Sequence, residues 1–70
     1  MKLTVGRRIE KMMIDKGMKQ IELARVTGIS QTVLSRYINE WRMPTVKNIV
    51  KIANALNVDV GVLVGQYEDE

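Results

Sequence analysis

Gln20-Ile21-Glu22-Leu23-Ala24-Arg25-Val26-Thr27-Gly28-Ile29-Ser30-Gln31-Thr32-Val33-Leu34-Ser35-Arg36-Tyr37-Ile38-Asn39 has the pattern of two short helices joined by a tight turn. The first, Gln20 to Val26, offers Ile21, Leu23 and Ala24 for burial and ends at Thr27-Gly28. Ser30 suits the N-cap of the second, Gln31 to Ile38, because its hydroxyl can accept from an amide that is otherwise unpaired at a helix start. Ile29 and Leu34 fall where a hydrophobic staple sets the entry angle. Helices that cross near a right angle approach only where one presents a small side chain, and the turn needs positive φ. Ala24 and Gly28 meet those two demands. Leu23, Ile29, Leu34 and Tyr37 then point inward. The second helix keeps an outer face of Gln31, Thr32, Ser35 and Arg36, polar and free of acid, which suits the major groove of duplex DNA.

Working outward, Val5, Ile9, Met12 and Met13 recur at helical spacing between Thr4 and Lys16, and Gly17 ends that helix in the left-handed conformation. The five methionines, Met1, Met12, Met13, Met18 and Met43, read as core filler, since Met12 and Met13 fall on the inward side of that helix and Met18 follows the turn. On the other side, Asn39 is expected to leave the helix in the left-handed conformation, followed by the loop Glu40-Trp41-Arg42-Met43 and Pro44. Thr45 caps a fourth helix, with Val46, Ile49, Val50, Ala53 and Leu56 as one apolar stripe up to Asn57. Beyond it, Val58, Val60, Val62 and Val64 alternate as in a strand, whereas Val60, Leu63 and Val64 fit a helical turn. The helix, capped by Asp59 and stapled by Val58 and Leu63, is the preferred reading, and a strand pairing with a second chain is the alternative. Residues 66–70 form an acidic tail expected to fray. The reading is therefore all-α, a compact five-helix bundle forming a single domain over residues 1–70.

Composition narrows the function. The chain has 70 residues, 46% of them apolar, with no Cys and no His. Disulfides, thiol nucleophiles, Cys-type zinc sites and imidazole bases are absent from such a sequence. Paired carboxylates and a Gly-rich phosphate loop are missing too, so no enzyme and no cofactor is expected. No apolar run reaches the roughly 20 residues that span a bilayer, and the basic start leads into charged residues rather than a secretory core. The expected location is the cytoplasm. Residues 1–51 hold all 11 basic side chains against Glu10, Asp15, Glu22 and Glu40, a net of +7, whereas residues 52–70 carry −4. A basic body with an acidic tip fits a polyanion met by one face, and equally a solvated basic surface.

The Gln20 to Asn39 segment, with Pro44 and Ile52-Ala53-Asn54-Ala55-Leu56-Asn57-Val58, resembles the helix-turn-helix of the phage repressor and Cro family, also called the xenobiotic response element family. The similarity runs from about residue 6 to about residue 64. It implies a lambda-repressor-like DNA-binding domain of five helices that binds operator DNA, usually as a dimer. By position, Gln31, Thr32 and Arg36 match residues that touch base edges, Ser35 is a fourth candidate, and Arg36 is the best placed to read guanine. Gln20 matches a family glutamine that contacts phosphate, and Lys19, Arg25, Asn39 and Arg42 join it as phosphate candidates. Lys19 stands where a capping Ser, Thr or Asn is common; it is either a loose helix start or a phosphate contact. Glu40 stands where the family often has Gly, and a carboxylate there is unfavourable beside phosphate. Met13 and Ile38 stand where some members carry an Arg–Glu ion pair, and here read as apolar packing.

Arg7, Arg8, Lys11, Lys47 and Lys51 read as solvated surface. Trp41 is a lid on the core by default, or an anchor for a dimer or partner, or an edge near the sugar-phosphate backbone. The resemblance and the length together imply a minimal transcriptional regulator, a repressor of a phage or mobile element that binds a palindromic operator in double-stranded DNA. Its homodimer surface would combine Trp41 with Val60, Val62, Val64 and Tyr67. The alternative is an interaction module such as an antitoxin-type helix-turn-helix protein, holding a protein partner through the apolar C-terminal segment.

Overall fold

The computed structural model describes residues 3–67. Among them the chain forms five helices and no strand: α1 (Val5–Lys16), α2 (Gln20–Thr27), α3 (Gln31–Ile38), α4 (Val46–Leu56) and α5 (Val60–Val64). α1 packs on α3, α4 and α5, while α2 lies against α3 and α4. The helical reading of the C-terminal valines holds over Val60–Val64. Within the predicted tail, Gln66 and Tyr67 form a turn, and residues 68–70 lie outside the described residues.

Caps set the boundaries. Thr4, Ser30 and Thr45 each accept from the backbone N–H three residues on, at 3.2, 3.2 and 3.1 Å, so one orphan donor at the start of α1, α3 and α4 is satisfied. Lys19 has no acceptor with which to cap α2. The Glu22 carboxylate reaches back instead and accepts from the Lys19 N–H at 2.9 Å, which supplies half of a capping box. The start of α2 is thus tied. Asp59 stands at the N-cap of α5 but makes no capping bond; its carboxylate accepts from the Tyr67 hydroxyl, which corrects the expected side-chain cap.

Ile9, Leu23, Leu34, Ile52, Leu56 and Leu63 are fully buried, surrounded by Met13, Ile29, Tyr37, Ile38, Ile49 and Ala53. Met13 and Ile38 pack in this cluster, as expected for an apolar link between α1 and α3. Three apolar expectations are corrected. The buried stripe of α4 is Ile49, Ile52, Ala53 and Leu56, while Val46 is 80% and Val50 39% exposed, because no neighbouring helix covers their side of α4. Ile21 is also exposed, leaving Leu23 and the partly buried Ala24 as the contribution of α2. Met43 is 70% exposed rather than core filler, because it stands in the loop between α3 and α4 and not on a packed helix face; Met1 lies outside the described residues.

Close approach between helices is decided at Gly6. A Cβ there would stand 2.2 Å from the Tyr37 carbonyl oxygen and 2.9 Å from that of Ile38, so α1 rests directly on the backbone at the end of α3. Gly28 has open space around it and a φ of 76°. Its requirement is the left-handed turn alone.

Arg8, read from sequence as solvated, is buried. Its guanidinium donates to the Leu3 carbonyl and lies so close to Gly65 that a Cβ there would be 2.6 Å from Arg8 Cζ. Arg8 therefore joins the two ends of the described chain. Asn48 Nδ2 donates to the Tyr37 hydroxyl at 2.8 Å, which satisfies a phenol at the edge of the core and fixes α4 against α3.

Candidate nucleic-acid interface

α3 has eight residues, and its sequence divides it into two sides. Leu34, Tyr37 and Ile38 are buried, whereas Gln31, Thr32 and Arg36 are exposed and Ser35 is half-buried. At 100° per residue these four side chains fall within an arc of about 140°. The structure therefore places the four base-contact candidates together on one outer face of one helix. Each has a hydrogen-bonding tip, and Gln and Arg offer paired bonds that match adenine and guanine edges.

The start of this helix is held from α2. Gln20 Nε2 donates to the Gln31 carbonyl at 3.1 Å, so the side chain read as a phosphate contact commits one of its two amide N–H donors to fixing where α3 begins. The Thr27 hydroxyl donates to the Leu23 carbonyl at 2.7 Å and accepts from the Ile29 N–H at 3.1 Å. The buried turn is thereby stitched to α2, a role for Thr27 that its position as the last residue before Gly28 did not reveal.

The end of α3 is closed by the backbone. The Glu40 N–H donates to the Tyr37 carbonyl at 3.1 Å and the Trp41 N–H to the Arg36 carbonyl at 2.8 Å, the paired bonds of a Schellman motif. The left-handed residue is Glu40, with φ 67°. Asn39, expected to take that conformation, has φ −85°, because its side chain is engaged within the helix: Nδ2 donates to the Ser35 carbonyl at 2.9 Å and to Ser35 Oγ at 3.3 Å.

Of the remaining phosphate candidates, Lys19, Arg25 and Arg42 are exposed. Lys19 precedes α2, Arg25 lies in its last turn, and Arg42 stands in the loop that follows α3. Trp41 is 80% exposed and covers no core, which corrects the default reading of it as a lid; the neighbouring Tyr37 and Ile38 are buried although Trp41 stands in solvent. Val60 and Val62 are half-buried, and Val64 and Tyr67 are exposed. The Tyr67 hydroxyl, donating to Asp59 and facing that negative charge, titrates above its ordinary value of 10.0. No group of acidic side chains among the described residues is arranged to hold a metal ion, and no described helix is long and apolar enough to cross a membrane.

The model of the helix-turn-helix family matches residues 9–63. This chain belongs to that family. As a helix-turn-helix protein it is 39% identical over 49 residues to the ImmF control region 10 kDa protein of Bacillus phage phi105, a match covering 70% of this chain and 54% of that protein. It is 38% identical over 48 residues to the cryptic phage CTXphi transcriptional repressor RstR of Vibrio cholerae, covering 69% and 43%. The matches span about half the length of these relatives.

Among solved structures, this helix-turn-helix domain is similar to the restriction-modification controller protein C.AhdI from Aeromonas hydrophila. The TM-score is 0.81 at 27% identity, over 84% of this chain and 89% of that one. It also resembles the P22 c2 repressor protein solved with a synthetic operator, with a TM-score of 0.83 at 21% identity over 90% and 96% of the two chains. That second likeness establishes the shared lambda-repressor-like fold.

Proposed function

We propose that this helix-turn-helix protein is a transcriptional regulator, a small repressor that binds a palindromic operator in double-stranded DNA through the major groove. The observation that carries this reading is the outer face of α3, where Gln31, Thr32, Ser35 and Arg36 stand together on a helix whose two ends are fixed by Ser30 and Glu40. A rigid helix presenting hydrogen-bonding tips is what direct readout of base edges needs. The likeness to a protein named as a transcriptional repressor and to a controller protein supports it.

In this reading Gln31, Thr32, Ser35 and Arg36 choose the site, with Arg36 on guanine. Lys19, Gln20, Arg25, Asn39 and Arg42 set register on phosphate and supply the salt-dependent affinity. Gln20 gives one amide N–H to Gln31 and keeps the other for phosphate, whereas Asn39, whose Nδ2 bonds to Ser35 twice, has to release its longer bond to Ser35 Oγ to reach one. One such helix reads few base pairs, so a homodimer is proposed, its surface drawn from Trp41, Val60, Val62, Val64 and Tyr67. The protein acts by occupying its site in the cytoplasm, without catalysis and without a cofactor.

Selection from random duplex DNA at about 150 mM salt tests this reading, because at that ionic strength non-specific phosphate binding is already weak. Enrichment of a palindrome with half-sites about 34 Å apart is the expected result. Retained DNA without sequence preference would overturn it.

A further inference from the structure

Arg7 makes two ion pairs from the first turn of α1. Its Nη1 lies 3.0 Å from Glu10 and its Nε 3.3 Å from Glu40, with all three side chains between 40% and 45% exposed. Pairs this exposed add little to stability. Glu10 is a near neighbour on the same helix. Glu40 is not: it stands in the loop after α3, and between Gln31 and Leu56 it is the only carboxylate in the sequence.

That loop is bonded to the residue proposed to read a base. The N–H groups of both Trp41 and Arg42 donate to the Arg36 carbonyl, at 2.8 and 3.3 Å. A side chain reaching bases from a helix in a groove about 12 Å wide brings its own backbone close to the phosphates at the groove wall. In that pose Glu40, one residue from that attachment, would bring its negative charge towards the phosphates. Arg7 is the cation seated on it.

We infer that Arg7 is a positioning residue for DNA binding, which neutralises Glu40 and draws its carboxylate towards α1, so that the loop carrying Arg42 meets the phosphate backbone unopposed. The inference rests on the DNA-binding reading above. It assigns Arg7 no contact with DNA of its own; its effect passes through Glu40.

A double-mutant cycle on the selected operator tests it. Arg7→Gln exposes the uncompensated carboxylate and weakens binding by about fivefold, the effect of one unit charge at about 4 Å in water. Glu40→Gln alone leaves affinity within about twofold, since that charge is already neutralised, and Arg7→Gln with Glu40→Gln returns to within about twofold of the wild type. Arg7→Lys, which keeps the charge, retains most of the affinity. The slope of log affinity against log salt stays at its wild-type value in the double variant. A direct phosphate contact by Arg7 would reduce that slope by about 0.9, and Glu40→Gln would not restore it.

Multiplicative, independent effects of the two substitutions, or a flattened slope that persists in the double variant, would overturn the role of Arg7 while leaving operator binding intact. A wild-type protein that retains no duplex at all removes both readings together. Circular dichroism and thermal melts of each variant separate loss of affinity from loss of fold.

Discussion

The backbone N–H of Trp41 donates to the carbonyl of Arg36 at 2.8 Å, so the exposed tryptophan loop is anchored to the helix turn that carries the proposed guanine reader. The residue between the capped helix and this anchor is Glu40, held at φ 67°, where Gly is the usual occupant.

Replacing it tests how the opposing terms balance. A left-handed non-glycine residue costs about 1 to 2 kcal/mol, and the exposed pair with Arg7 returns about 1 kcal/mol or less. Glu40→Gly is therefore expected to stabilise the fold, raising Tm by a few degrees, roughly 4 °C for each kcal/mol. A lowered Tm in a thermal melt would show that the ion pair outweighs the strained backbone.

The closest approach of helices is equally testable. Gly6→Ala puts a methyl against the carbonyl oxygens of Tyr37 and Ile38, at 2.2 and 2.9 Å. Neither backbone atom can move aside without parting α1 from α3, so a loss of about 2 to 3 kcal/mol is expected in urea unfolding, at the upper end of overpacking. Gly28→Ala meets nothing within 4 Å and loses only the cost of its positive φ, about 1 to 2 kcal/mol. Equal losses at the two sites would contradict this assignment of roles.

On DNA, the residues of α3 and the flanking cations are expected to separate by the kind of loss they produce. Arg36→Ala should cost about 1 to 3 kcal/mol and relax preference at one base position, whereas Lys19→Ala and Arg42→Ala should weaken all sequences alike and reduce the salt slope by about one unit each. Binding titrations on the operator and on single-base variants at several salt concentrations distinguish the two. Uniform loss for Arg36→Ala would move it to the phosphate class.

The Tyr67 hydroxyl predicts a pH dependence at the C-terminal end of α5. Its hydrogen bond to Asp59, and the charge of that group, raise the phenol above 10.0. The folded state therefore favours the protonated form: the contribution of the contact is complete below 10.0 and is lost as pH rises through the folded value. Amide exchange in Val60–Gly65 should accelerate above that pH relative to the rest of the chain, and Tyr67→Phe should remove this difference. An unchanged profile in Tyr67→Phe would show that the contact does not hold the turn.

Much of this architecture lay in local chemistry. Ser30 and Thr45 cap the helices they were expected to cap, Asn57 and Gly17 close α4 and α1 in the left-handed conformation, and the face of Gln31, Thr32, Ser35 and Arg36 follows from eight consecutive residues of one helix. Such features depend on neighbours within one turn, so they are written in adjacent positions. The isolated Gly6 inside a helical pattern is a signal of close packing that the sequence reading passed over. Its partners, Tyr37 and Ile38, are not legible in the sequence.

The remainder required the assembled chain. Periodicity places Val46 and Val50 on the apolar side of α4, but burial depends on whether another helix lies over them, and none does. Local propensity assigns the left-handed turn to Asn39; the side-chain bonds to Ser35 keep that residue out of it, and the turn falls to Glu40, beside Arg7 from the other end of the sequence. Arg8 looks like any surface arginine until α5 brings Gly65 against it. Capping, helical period and the identity of the polar face are properties of short stretches, whereas burial, ion pairing and the closeness of helices arise between residues that only folding brings together.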